Sequence, residues 1–265
     1  RYTIIEPLGA GGIGQVYGAR ETLGSRTREV ALKLLRTGTA LDRQAVERLL
    51  DEGATLQDLS HPNIVSVYNV GLAGDVPFVA MRLVDGITLR AWHRARMAQG
   101  HDVSLAEALA IIHAVLDGLE AAHSAGVIHR DLKPENIYLN GDPEGGKARL
   151  QILDFGLATS PAYMAPEQIA YPETAGPPAD LYSLARILYE LLVGTLPVGH
   201  WQPPSQERVD IPDQIDELIR QCLSNRPANR PQSAAAMRAM VSDLVHKQRH
   251  DEPEQHDDPA PPDVT

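Results

Sequence analysis

The sequence holds a single cysteine, Cys222. One thiol cannot close an internal disulfide, and the usage fits a reducing compartment. The residue itself reads as a buried helix position. Basic charge is scarce as well: 24 Lys and Arg stand against 35 Asp and Glu, a net charge of −11. A protein built to grip a phosphate backbone needs a basic footprint, so nucleic acid is excluded as the main partner. Long apolar runs are missing too. The most apolar stretch, LYSLARILYELLVG at 181–194, is interrupted by Arg186 and Glu190, which marks a core helix and leaves no membrane segment within this piece. Neither an internal repeat nor a basic, apolar leader is visible. The chain opens at Arg1, directly in a strand-like pattern and without a methionine, which suggests a piece of something longer, with room for a membrane tether outside it.

What is present is enough for a substantial core. With 265 residues, 43% of them hydrophobic, the chain is either one large domain or two lobes. Residues 2–36 alternate around glycines, in YTIIEPLGAGGIGQVYGAR and REVALKLL, and predict three antiparallel strands. Helical spacing follows at 42–59, and NIVSVYNVG and PFVAMRLV return to strand character. From Thr88 onward apolar positions recur at three and four, with helices predicted at 104–126, 177–193, 213–223 and 232–246. The pattern is α+β: a small β lobe with one main helix at 1–84, a larger mostly α lobe at 85–248, and a hinge near Leu83 to Gly86. The end, HDEPEQHDDPAPPDVT, has six acids and four prolines in sixteen residues, so 249–265 reads as a linker or tail without a core.

Three constellations carry chemistry. The turn GAGGIGQV places Gly9, Gly11 and Gly14 between two strands, where bare N–H groups can approach phosphate oxygens. A dinucleotide fold would follow such a turn with a helix, but QVYGAR continues as a strand. VALK puts Lys33 on the next strand, seventeen residues past Val16, where its ammonium can reach back to those phosphates. HRDLKPEN gathers Asp131, Lys133 and Asn136 in one loop: a carboxylate for a substrate hydroxyl, a cation for a migrating phosphate and an amide oxygen for a metal. Asp154, in DFG eighteen residues beyond Asn136, adds a second hard oxygen for a magnesium ion held by nucleotide phosphates.

In this order, from Tyr2 to about Leu244, the motifs resemble the catalytic domain of a eukaryotic-like (Hanks-type) serine/threonine protein kinase. The resemblance implies the two-lobed protein kinase fold, with ATP and Mg2+ as cofactors. It implies that the turn Gly9, Ala10, Gly11, Gly12 and Gly14 covers the nucleotide, and that Val16, Ala31 and Tyr138 sandwich adenine. It further implies that Met81 guards the back of the pocket while backbone groups of Arg82 and Val84 meet the adenine edge. The catalytic set is then Asp131 as base, Lys133 on the γ-phosphate, and Lys33 paired with Glu52, with Glu47 as second choice; Asn136 and Asp154 are the metal ligands. Glu167 of APE is expected to pair with Arg230, and Asp180 to hold the catalytic loop's backbone. Leu56, Val67, His129 and Phe155 fall where the family stacks an apolar column between lobes.

DLKPEN resembles the serine/threonine-specific form of the loop, so protein substrates with Ser or Thr acceptors are implied, with self-association for autophosphorylation as a further expectation. The frame of SPAYMAPEQ is similar to bacterial members, which implies the bacterial cytoplasm. A small-molecule kinase on the same core predicts neither APE nor a matching Arg230, so the sequence disfavours it. Two departures stand out. Between Leu196 and Pro212 a proline-rich stretch replaces a longer insert, and only LATSPAYM separates Gly156 from Ala165. The four links from Gly156 to Ser160 span at most about 14 Å. That shortness favours the expectation that residues are missing between Ala158 and Ser160. The alternative is a truly short segment that leaves Arg130 without a phosphate partner, which shifts weight towards a binding module with weak or no catalysis.

Overall fold

The computed structural model describes residues 1–11, 14–36, 43–141, 149–155 and 160–251. Two hairpin-forming strands open the chain, β1 (Tyr2–Gly11) and β2 (Gly14–Leu23), followed by β3 (Arg26–Leu35), helix α1 (Arg43–Asp58), β4 (Val67–Ala73) and β5 (Val76–Arg82). They form an antiparallel sheet in the order β1-β2-β3-β5-β4. Gly14 is needed for that sheet to close, because a Cβ there would lie 2.3 Å from the Leu34 carbonyl oxygen. Helix α1 lies against β4. Gly53 permits the approach, since a Cβ would sit 2.7 Å from a Val70 methyl.

The second lobe begins with a short strand β6 (Ile87–Thr88) and helices α2 (Leu89–Ala98) and α3 (Leu105–Ser124). Strands β7 (Ile137–Asn140) and β8 (Arg149–Ile152) join β6 in a small sheet ordered β6-β7-β8. Helices α4 (Pro166–Ala170), α5 (Pro177–Val193), α6 (Pro204–Glu207), α7 (Asp213–Cys222) and α8 (Ala234–Asp251) complete it. Ser104 and Glu107 cap α3 reciprocally, which fixes where that helix starts. The sequence patterns anticipate β1 to β3, α1, α3, α5 and α7 closely. They miss α2, whose apolar face is only Leu89, Trp92 and His93, although Thr88 caps it through the Ala91 N–H. Helix α8 continues to Asp251, so the expected tail from 249 begins as helix, and residues 252–265 lie outside the described residues. Where the sequence showed only a proline-rich stretch, α6 makes a single turn.

One apolar core runs from α3 through α5 to α7 and α8. Cys222 is fully buried in it, and burial pushes its thiol up to about 12, so it is packing material. Helix α5 is buried nearly all round, and three of its buried side chains, Asp180, Ser183 and Glu190, are polar or charged. Each is aimed at a loop of the cleft, as described below. Among the described residues no helix is long and apolar enough to cross a membrane.

Below the cleft the expected ion pair between Glu167 and Arg230 is present. It is bidentate, at 2.7 and 2.8 Å, with the arginine side chain fully buried. Arg230 also donates to the carbonyls of Ser224 (2.8 Å) and Pro178 (3.0 Å). Glu167→Ala leaves a buried guanidinium without its counter-charge, and the expected loss of stability is about 3–5 kcal/mol. Urea unfolding checks this, and a loss below about 1 kcal/mol would mean that the two carbonyls alone satisfy Arg230.

Candidate active site

The loop between α3 and β7 is shaped by one carboxylate from α5. Asp180 accepts the backbone N–H groups of His129 (2.8 Å) and Arg130 (2.9 Å), and a ring nitrogen of His123 lies 2.8 Å away. Arg130 adopts φ 63, a left-handed conformation that costs a non-glycine residue energy, and the two N–H bonds hold it there. Burial alone would raise the Asp180 carboxyl, but the hydrogen bonds and nearby charges of His123 and His129 together outweigh it and hold the group below its ordinary value. The His129 ring is fully buried. Its Nε2 lies 2.9 Å from the Leu153 carbonyl, which can only accept, so Nε2 carries the proton and Nδ1 receives the Asp131 N–H at 3.2 Å. Burial lowers this ring's pKa and keeps it neutral.

That loop presents Asp131, Lys133 and Asn136 together. The Lys133 ammonium donates to Asp131 Oδ2 at 2.6 Å and to Ser160 Oγ at 2.7 Å. Asn136 Nδ2 donates to the Asp131 carbonyl at 2.8 Å, leaving its amide oxygen as the acceptor for another partner. Asp154, also in a left-handed conformation at φ 63, lines the cleft and lies 2.9 Å from the Lys33 ammonium. An amide oxygen and a carboxylate are the hard donors that magnesium takes beside phosphate oxygens, so Asn136 and Asp154 fit that ion.

Beside them opens a cleft of about 140 Å³ between the lobes. Gly9, Val16 and Ala31 line it from the sheet, Met81, Arg82 and Val84 from the connecting strand, and Tyr138 and Leu153 from below. Met81 is buried, and the Arg82 N–H already donates to the Ser66 carbonyl at 2.9 Å, so adenine must use other backbone groups of the connecting segment. The β1–β2 hairpin pairs Ala10 with Gln15 and Gly11 with Gly14, while Gly12 and Ile13 lie outside the described residues. Leu56, Val67 and Phe155 share the main core, and the Phe155 and His129 rings are 4.5 Å apart.

A family model described as protein kinase domain matches residues 2–253. The chain belongs to the protein kinase family. It is 35% identical over 274 residues to the serine/threonine-protein kinase PkaB of Streptomyces coelicolor, covering 92% of this chain and 63% of that protein. It is 33% identical to PknB of Mycolicibacterium smegmatis, covering 96% of this chain and 44% of that protein. These relatives are therefore considerably longer than the match. The PknI kinase domain of Mycobacterium tuberculosis is similar in structure, with a TM-score of 0.79, 31% identity, and coverage of 91% of this chain and 95% of that one.

In this kinase domain the Lys33–Glu52 pair expected from the sequence is replaced by two others. Lys33 pairs with Asp154, and Glu52 Oε1 accepts from Arg130 Nη1 at 2.5 Å. A cavity of about 30 Å³, lined by Lys33, Gly53, Leu56, Val70 and Phe155 among others, lies between α1 and the sheet. Glu52 Oε2 is buried with no hydrogen-bond partner. Arg130, expected to lack a phosphate partner if the segment after DFG is truly short, is paired here with the Glu52 carboxylate. The junction at Ala158 and Thr159, on which the missing-residue expectation turns, lies outside the described residues. Glu135 lines the cleft without having been singled out from the sequence, although it sits inside HRDLKPEN.

Because the buried His129 holds its pKa below the ordinary 6.5, the unfolded chain binds its proton first as pH falls. Stability is therefore full above about pH 6.5 and declines below it, by up to about 1.4 kcal/mol per pH unit for each such histidine. His93, also lowered chiefly by burial, adds to the slope, and Asp180 contributes a further loss below its ordinary 3.8. Urea midpoints measured between pH 7.5 and 5 should fall with acid, and a flat profile would contradict a neutral buried His129.

Proposed function

We propose that this domain is an ATP-dependent serine/threonine protein kinase acting in bacterial signalling, its substrates protein Ser and Thr hydroxyls, its setting the bacterial cytoplasm. The observation that carries the reading is the hydrogen-bonded set of Asp131, Lys133 and Ser160 beside Asp154 at the mouth of the cleft. The serine/threonine kinases among its bacterial relatives support the same acceptor class. A second copy of the domain is one admissible substrate.

In this reading Val16 and Ala31 cover adenine from the sheet and Tyr138 supports it from below, with Met81 behind and backbone groups of Arg82 and Val84 at its edge. The N–H groups of Gly9, Ala10, Gly11, Gly12 and Gly14 and the ammonium of Lys33 hold the phosphates. Asp154 and Asn136 hold magnesium, which supplies neutralisation of the phosphate charge. Asp131 orients the acceptor hydroxyl and takes its proton as the new P–O bond forms and the bond to the ADP oxygen breaks. Lys133, already bonded to Asp131, offsets negative charge on the phosphoryl oxygens in transfer. Glu52 then exchanges partners: it leaves Arg130 for Lys33, freeing Asp154 for the metal. Its unpartnered Oε2 supports that exchange. The present pairing also favours a second reading, a nucleotide-binding module with weak catalysis, and turnover of ATP with magnesium separates the two.

Asp131→Asn should lower phosphoryl transfer about a hundredfold or more while leaving nucleotide affinity nearly intact. Asp154→Ala should weaken magnesium-dependent nucleotide binding as well. Radiolabel transfer and calorimetric titration read the two effects, and wild-type transfer by Asp131→Asn would end the catalytic assignment. A structure with nucleotide and magnesium should show Lys33 against Glu52; a Lys33–Glu47 pair there would sink the Glu52 role.

A further inference from the structure

Outside the transfer site, Arg90, in the first turn of α2, is a half-buried charge that makes three side-chain hydrogen bonds. Its Nε donates to Glu135 Oε1 at 2.8 Å, its Nη1 to Glu190 Oε1 at 2.5 Å, and its Nη2 to the Tyr163 hydroxyl. Tyr163 in turn donates to Glu190 Oε2 at 2.5 Å. Burial disfavours the charged guanidinium, yet the hydrogen bonds to Glu190 and Glu135 outweigh it and raise the Arg90 pKa. All three nitrogens of one side chain are thus committed to groups from three different elements.

The position of these partners matters more than their number. Glu135 lies between Lys133 and Asn136 in the catalytic loop and lines the nucleotide cleft, with its side chain 44% exposed. Tyr163 lies three residues past Ser160, which Lys133 holds, and its backbone N–H donates to the Ser160 carbonyl at 3.1 Å. Two carboxylates therefore converge on Arg90, one from the loop that carries Asp131 and one bonded to Tyr163 in the segment that carries Ser160. Left to themselves they form a cation-binding pocket, since two carboxylates with one phenol between them suit a guanidinium in bidentate geometry. Arg90 reaches that pocket from inside the protein, 15% exposed.

We infer that Arg90 is a specificity-determining residue: it fills, from within, the carboxylate pocket of Glu135 and Glu190 beside the acceptor groove, so that this kinase does not select substrates by a basic side chain there. The inference rests on the kinase reading above. A substrate arginine would have to expel a guanidinium that already makes three hydrogen bonds, whereas a neutral segment has no cation to place there. The substrate class it points to is protein segments whose residues flanking the acceptor are not selected for Arg or Lys.

The test compares serine peptides that differ only in Arg or Gln at each position upstream of the acceptor. Both kcat/KM and the polarisation-monitored binding of labelled peptide, with a non-hydrolysable ATP analogue present, are measured. The wild type should treat each Arg/Gln pair alike within about threefold, and Arg90→Ala should favour Arg at one position by about tenfold or more, a preference that Glu135→Gln added to it removes. A folded Arg90→Ala with an unchanged ratio overturns the inference. Should Arg90→Ala not fold, Glu135→Gln alone decides: the inference requires the Arg/Gln ratio to stay as in the wild type, and a wild-type preference for Arg that this change abolishes overturns it. If no peptide is phosphorylated by any variant, that failure falls on the kinase reading, and the binding ratios still judge the pocket.

Discussion

The carboxylate of Asp180 is the constraint on which the rest of the site depends. It takes two consecutive backbone N–H groups, of which Arg130's belongs to a residue in a left-handed conformation that would relax without them. The kinked backbone turns the His129 ring down to the Leu153 carbonyl and Asp131 up to Lys133. Because Asp180 belongs to a helix buried on every side, its position is set by the whole core of the large lobe. Ser183 and Glu190 extend the same logic one and three turns further along α5: Ser183 donates to the Tyr163 carbonyl at 2.8 Å, and Glu190 accepts from Arg90 and Tyr163. A single apolar helix thereby anchors the catalytic loop and the segment before APE through Asp180, Ser183 and Glu190, each hydrogen-bonded as burial demands.

Four cations around the cleft each have a carboxylate at hand. Lys33 holds Asp154, Arg130 holds Glu52, Lys133 holds Asp131, and Arg90 bridges Glu135 and Glu190. Such pairs are partly buried, where an unpaired charge costs several kcal/mol, so a change of partner must be an exchange between pairs and not a simple release. This bears on the short segment after DFG. Arg130 is satisfied by Glu52 from the small lobe, so the arginine that the family uses to read a phosphate here ties α1 to the catalytic loop.

Much of this was legible in the linear sequence, because its chemistry is carried by short loops. In HRDLKPEN Asp131, Lys133 and Asn136 lie within six residues, and no arrangement of the remaining chain could part them far. The glycine turn, the strand lysine and the long helices were legible for the same reason, since strand alternation and helical spacing are local. Helix α2 was not. Its sequence LRAWHRARMA mixes three arginines and a histidine among small and apolar residues, so its buried face rests on Leu89, Trp92 and His93, and only the Thr88 cap signals its start.

By itself, then, the sequence determined the two-lobed plan, the family and most of the residues that line the cleft, because each follows from residues close together in the chain. Which cation each carboxylate holds was decided only by tertiary structure. Glu52 and Arg130 are 78 residues apart, Arg90 and Glu190 are 100 apart, and no spacing rule reaches across such distances. Ion pairs form with the nearest opposite charge that the packing of α1, α2 and α5 delivers, and a shift of a few ångströms in one helix is enough to change that partner.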